Sequence, residues 1–174
     1  MEDVVTIRSA QTPRLLLMDA CVLIDFIKAD SSIFKLFVKY VGEIHVVSPV
    51  VEEVKEIEST QALEKYGLII IEPQLDDVFT AANQSGSLSF QDRLCLLTAK
   101  REGFTCVTND KRLRKQCEKD DVQILWGLQL LISLHDKAGI SSADAIELAE
   151  QIHRNNPKHI SLKLLERFKD AVKD

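Results

Sequence analysis

Five short runs of uninterrupted apolar residues, separated by stretches with helical spacing, constrain this chain more than any other feature. The runs are Arg14–Met18 (RLLLM), Ile44–Ser48 (IHVVS), Leu68–Glu72 (LIIIE), Phe104–Thr108 (FTCVT) and Val122–Leu125 (VQIL). Continuous apolarity, in place of strict alternation, predicts strands buried on both faces, as in a parallel sheet. The intervening stretches predict helices over Cys21–Lys28, Ser32–Tyr40, Val50–Glu58, Gln61–Tyr66, Ser89–Arg101 and Lys111–Lys119. Strands alternating with helices predict a doubly wound α/β fold.

After Trp126 the pattern is purely helical. Gly127–Lys137 continues a helix, Gly139 breaks it, and Ser141 or Ser142 caps a new one reaching about Arg154. Asn155-Asn156-Pro157 is a stop, and Ser161 caps a last helix with Leu162, Leu165, Phe168 and Val172 on one face. The expected organisation is an α/β domain over residues 1–138, with a C-terminal helical hairpin over 139–174 that is too small to stand alone. The length of 174 residues suits one domain. No apolar run approaches the roughly 20 residues of a membrane span, and no membrane association is expected. The N-terminus carries Glu2 and Asp3 with no apolar signal stretch, which points to a cytoplasmic protein. Cys21, Cys95, Cys106 and Cys117 form no CxxC pair and read as free thiols.

Four carboxylates fall where such a sheet brings side chains together, beyond the carboxyl ends of its strands. Asp19 ends the first apolar run and Asp110 follows another; each equally fits a helix N-cap. Glu53 lies on a predicted helix where Val50, Glu53, Val54 and Ile57 share a face, so it is preferred over Glu52. Asp92 aligns with Cys95, Leu96 and Ala99 on an apolar helix, where a charge needs a partner or a metal. Asp25 lies one helical turn beyond Asp19 as a supporting residue. Asp76, Asp77, Asp120 and Asp121 read as solvated charges. Lys111, Arg112, Arg114 and Lys115 form a basic stretch beside Asp110, equally a phosphate contact or a solvated face. Ser48 and Thr108 are strand-end hydroxyls that can bind water or phosphate.

An all-carboxylate set suits hard cations such as Mg²⁺ or Mn²⁺. These ions activate water and stabilise the departing oxygen of a phosphodiester. His45, His135, His153 and His159 show no ligand spacing, and there is no Walker A loop, glycine-rich dinucleotide turn or zinc signature. A net charge of −5 argues against coating nucleic acid by bulk charge, though not against local contact at a metal site.

Taken together, LLLMDACVLIDF, SPVVEEV, Ser89-Phe-Gln-Asp92 and Thr108-Asn109-Asp110 resemble the four acidic motifs of the PIN-domain family, in that family's order, across residues 14–126. The resemblance implies a three-layer α/β/α fold with a central parallel sheet. It further implies an Mg²⁺- or Mn²⁺-dependent endoribonuclease in which Asp19, Glu53, Asp92 and Asp110 are the metal-binding and catalytic residues. It suggests an RNA substrate, a homodimer and, for the toxins of toxin–antitoxin pairs, an inhibitory antitoxin. The helices after Ser141 depart from the compact toxins. A non-catalytic PIN module binding RNA or a protein, and a PIN-like nuclease acting on DNA, are the alternatives.

Overall fold

The computed structural model describes residues 14–173. Five parallel strands form one sheet: β1 (Arg14–Met18), β2 (Gly42–Val47), β3 (Ile69–Ile71), β4 (Thr105–Val107) and β5 (Ile124–Leu125). Their order across the sheet is β3-β2-β1-β4-β5. Helices cover both faces, giving the expected three-layer α/β/α architecture. On one face lie α1 (Ala20–Asp30) and α2 (Ile33–Tyr40), with α8 (Gly127–Asp136), α9 (Ser142–Asn155) and α10 (Leu162–Ala171) packed beside them. The other face carries α5 (Leu75–Asn83), α6 (Phe90–Glu102) and α7 (Lys111–Lys119). This partition follows from right-handed crossovers, because the chain moves outward one way from β1 to β3 and the other way from β4 to β5. Among the described residues, no helix is long and apolar enough to cross a membrane.

The apolar runs are buried as their composition requires. Leu16, Leu17 and Met18 of β1 and Ile44, Val46 and Val47 of β2 are shielded from solvent. Phe26, Phe34 and Phe37 lock α1 to α2 edge to face, with ring centroids 5.0 to 6.5 Å apart. Helix starts follow side-chain caps: Ser89 on α6, Ser141 on α9 and Ser161 on α10 each accept a hydrogen bond from the backbone three residues on. Gly103 ends α6 at φ 70°, a left-handed conformation that suits glycine.

Two elements differ from the sequence expectation. The helix expected over Val50–Glu58 is shorter: α3 spans Ser48–Glu53, and Val54 is extended with ψ 101°. Val50, Val51 and Val54 are β-branched and poor at holding a helix, and Val54 gains more by entering the core, where it is buried. The Val50–Ile57 face therefore does not exist. Conversely, α5 was not expected; it places the Asp76-Asp77 doublet in its first turn, a helix-end position, where Asp77 accepts a hydrogen bond from the Arg101 Nε at 2.9 Å. The helix expected over Gln61–Tyr66 is α4, which spans Thr60–Lys65 next to β3.

Beyond α8, α9 lies against α1 and α8, and α10 against α8 and α9. A polar link adds to that packing. Asn156, just after α9, donates from Nδ2 to Asp25 Oδ1 at 3.1 Å.

Gly42 pairs with Arg14, and a Cβ at Gly42 would stand 2.1 Å from the Arg14 carbonyl oxygen. No side-chain movement relieves a clash with backbone. Gly42→Ala is expected to destabilise the protein by about 1–3 kcal/mol, read as a lower midpoint in urea denaturation.

Candidate active site

The strand order reverses between β1 and β4, since the chain leaves β1 on one side for β2 and returns for β4 on the other. At such a point the loops beyond the strand ends diverge and leave a crevice. Asp19 follows β1, and Thr108, Asn109 and Asp110 follow β4. The Asp19 backbone N–H donates to the Val107 carbonyl at 3.1 Å, which joins the two strand ends.

The Asp19 carboxylate is 3 % exposed. It caps α1 by accepting from the Val22 backbone N–H at 3.2 Å. The Cys21 thiol donates to its two oxygens at 3.0 and 3.2 Å, and the Thr108 hydroxyl donates to Oδ2. Burial pushes the Asp19 pKa from 3.8 up to about 6, and the Asp92 charge adds to the rise, while the three donors oppose it. The anion is therefore present at neutral pH but poorly compensated. Burial also raises the Cys21 thiol, with the Asp19 carboxylate next in effect, so Cys21 serves as a donor and not as a nucleophile.

Asp92 is the third residue of α6 and completes a capping box. Its backbone N–H donates to Ser89 Oγ at 3.1 Å, and its Oδ2 accepts from the Ser89 N–H at 3.2 Å. It is half-buried, not sunk in the core, and among the described residues no arginine pairs with it; Arg93 donates instead to the Ala81 carbonyl at 3.0 Å. Glu53 ends α3 and is exposed. Partial desolvation raises its carboxyl, and the Asp92 charge raises it further. Asp92 thus lies within electrostatic reach of both Asp19 and Glu53, which ties three of the four acids to one locality.

Asp110 joins through Thr108. The Asp110 N–H donates to Thr108 Oγ1 at 3.0 Å, and the same hydroxyl donates to Asp19. Its carboxylate caps α7, accepting from the Arg112 and Leu113 N–H groups at 2.8 and 3.0 Å. Asp19 and Asp110 are thus both helix caps, linked to each other through the Thr108 hydroxyl. Among the described residues no three His, Cys, Asp or Glu side chains converge into a ready-made metal-binding group. What the acids offer is a set of oxygen donors, one of them raised chiefly by its burial and slightly by Asp92, and that chemistry fits a hard divalent cation.

Other side chains complete the crevice. Asn109 donates from Nδ2 to Asp25 Oδ2 at 3.3 Å and accepts from the Gly127 N–H at 3.0 Å, fastening the post-β4 loop to α1 and α8. Asp25 is as buried as Asp19 and burial raises its carboxyl, so it acts as an internal anchor. The Ser48 hydroxyl is engaged elsewhere, donating to Glu72 at 2.7 Å. Of the basic stretch, Lys111, Arg112 and Lys115 are exposed, and Arg114 is half-buried.

Sequence reasoning gave Thr108 little weight and Cys21 and Asn109 none. Thr108-x-Asp110 is the spacing at which a threonine hydroxyl accepts the N–H two residues on. Cys21, two residues past a helix-capping aspartate, likewise lies within reach of that carboxylate.

No family model and no curated protein sequence matches this chain.

The raised Asp19 carboxyl has a consequence for stability. Between pH 3.8 and about 6 the folded chain holds a proton that the unfolded chain has released, so Asp19 makes stability fall as pH rises through that window. Asp19→Asn keeps the cap and removes the charge. It is expected to unfold at higher denaturant than the parent at pH 7, by about 2 kcal/mol, with the difference vanishing near pH 4. Paired urea titrations at the two pH values test this.

Proposed function

We propose that this chain is a metal-dependent nuclease of the PIN type that hydrolyses phosphodiester bonds in RNA. The observation that carries the reading is the set of charge-linked carboxylates Asp19, Asp92 and Glu53, joined through Thr108 to Asp110, at the crevice where the parallel sheet reverses its strand order. A fold of this kind needs caps at its strand-to-helix turns, and Asp19 serves as one, but a cap need not be buried as deeply as this carboxylate, nor have a second acid near enough to add to the rise that burial causes. Such an arrangement costs stability and is understandable when a cation relieves it.

Asp19, Asp92, Glu53 and Asp110 are the residues that would hold Mg²⁺ or Mn²⁺. A bound ion supplies water activation and neutralises charge on the phosphodiester. The chain's own groups set the stage. Thr108 and Cys21 fix the orientation of the Asp19 carboxylate by donating to it. Asp19 is ionised at neutral pH and becomes protonated as pH falls through about 6, which weakens its hold on a cation. Glu53, exposed and on the short α3, is the acid best placed to orient a water. RNA as the substrate rests on the resemblance of the four acidic motifs to that family.

Purified protein is expected to cleave single-stranded RNA with Mn²⁺ or Mg²⁺ and to be silent in EDTA. Asp19→Asn and Asp92→Asn should each lower kcat/KM by about 100-fold or more, equivalent to about 3 kcal/mol of lost transition-state stabilisation. Folded variants that keep wild-type cleavage would place the chemistry elsewhere. Cleavage of DNA in preference to RNA would correct the substrate and leave the site standing.

A further inference from the structure

Arg114 differs from the other cations of the basic stretch. Its guanidinium carbon lies 3.5 Å from the centroid of the Trp126 ring, closely stacked on one face. Its Nε is enclosed and has no hydrogen-bond partner. Among the described residues its guanidinium makes no hydrogen bond and no ion pair; Glu118 and Asp110 act on it only at a distance. Burial weakens its hold on the proton and those two acids oppose the change only in part, yet a guanidinium stays charged.

Its position is also specific. Arg114 is one helical turn after Asp110, and its backbone N–H donates to the Asp110 carbonyl at 3.0 Å. Cys21, the residue that donates to Asp19, is among the groups near enough to act on it. Trp126 is held in turn, because its N–H donates to Gln129 Oε1 at 2.9 Å at the start of α8. Packing on tryptophan accounts for the face of the guanidinium but leaves its edge, where the donors lie, without an acceptor. A fixed positive charge near an acidic cluster opposes cation binding. It makes sense where an anion must dock beside the cation.

We propose that Arg114 is a phosphate-binding residue: its guanidinium edge takes the oxygens of a nucleic-acid backbone phosphate beside the Asp19–Thr108–Asp110 cluster, and Trp126 fixes its plane. This rests on the nucleic-acid reading given above. Arginine suits the task because its planar fork meets two phosphate oxygens at once. Lys111, Arg112 and Lys115, exposed and unstacked, lack that preorganisation.

The test measures affinity for a fluorescein-labelled single-stranded RNA oligonucleotide by anisotropy, with Ca²⁺ replacing Mn²⁺ and the RNA recovered intact. Arg114→Gln is expected to weaken binding about 10-fold and to reduce the slope of log affinity against log salt by about 1. Arg114→Lys should recover only part of the loss, because an ammonium neither stacks as a plane nor forks. Lys119→Gln, an exposed cation on the same helix, should bind as the parent does. Mn²⁺ affinity by calorimetry should be undiminished in Arg114→Gln, which also shows that the site remains folded. Parental RNA affinity in Arg114→Gln, full recovery in Arg114→Lys, or an equal loss in Lys119→Gln would each overturn the assignment. Metal-dependent cleavage that survives unchanged in Arg114→Gln defeats this inference and leaves the nuclease reading intact. Arg114-dependent RNA binding without any cleavage does the reverse.

Discussion

Strand β1 is the hinge on which the molecule is organised. It is the central strand, pairs in parallel with β2 on one side and β4 on the other, and carries three consecutive residues sealed from water. A parallel sheet permits this only if helices cover both faces, and the right-handed crossovers then send the chain to opposite sides of β1. The strand ends that part company there are those of β1 and β4. The hydrogen bond from the Asp19 N–H to Val107 holds them in register. Three parts of the crevice are mounted on that one junction: the α1 cap, the Thr108 hydroxyl and the start of α7.

The acids of the crevice are not spare groups added to a finished fold. Asp19 and Asp110 each begin a helix, and Asp92 closes a capping box. Local folding has already fixed their rotamers, so the donor oxygens stand in place without further ordering. The same economy couples stability to function, because the hydrogen bonds that cap a helix also spend lone pairs that a cation would use. Glu53 is the exception. It caps nothing and is exposed, so its substitution separates chemistry from folding more cleanly than the other three.

How much of this was legible in the sequence varied with the range of the interaction. Uninterrupted apolar runs located all five strands, and Arg14–Met18 matched to the residue. Serine and aspartate caps located the starts of α1, α6, α7, α9 and α10, since capping is a contact over three residues. The failures came where packing overrode local pattern. The Val50–Ile57 periodicity was genuine, yet burial of Val54 in an extended turn ended the helix early. Helix α5 was not expected because its most apolar residues, Leu75 and Phe79, are largely exposed, so no core-facing stripe marks it. At the site, the four acids were visible as strand-end or helix-start residues. The stack of Arg114 on Trp126 joins residues from different elements and has no local signature. The tie from Asn109 to Asp25 is equally non-local.

The Asn156 contact with Asp25 bears on what the last two helices are for. Asp25 is a carboxylate on the inward side of α1, and two amides, one from the crevice loop and one from beyond α9, supply its hydrogen bonds. Remove the second amide and the packing of α9 on α1, and Asp25 would lose a donor while the apolar side chains beside it on α1 would be opened to water. The α/β portion is therefore not a free-standing module with an ornament attached. Its α1 is apolar on the side that the tail covers, and a shortened protein would present that side to solvent as a sticky face.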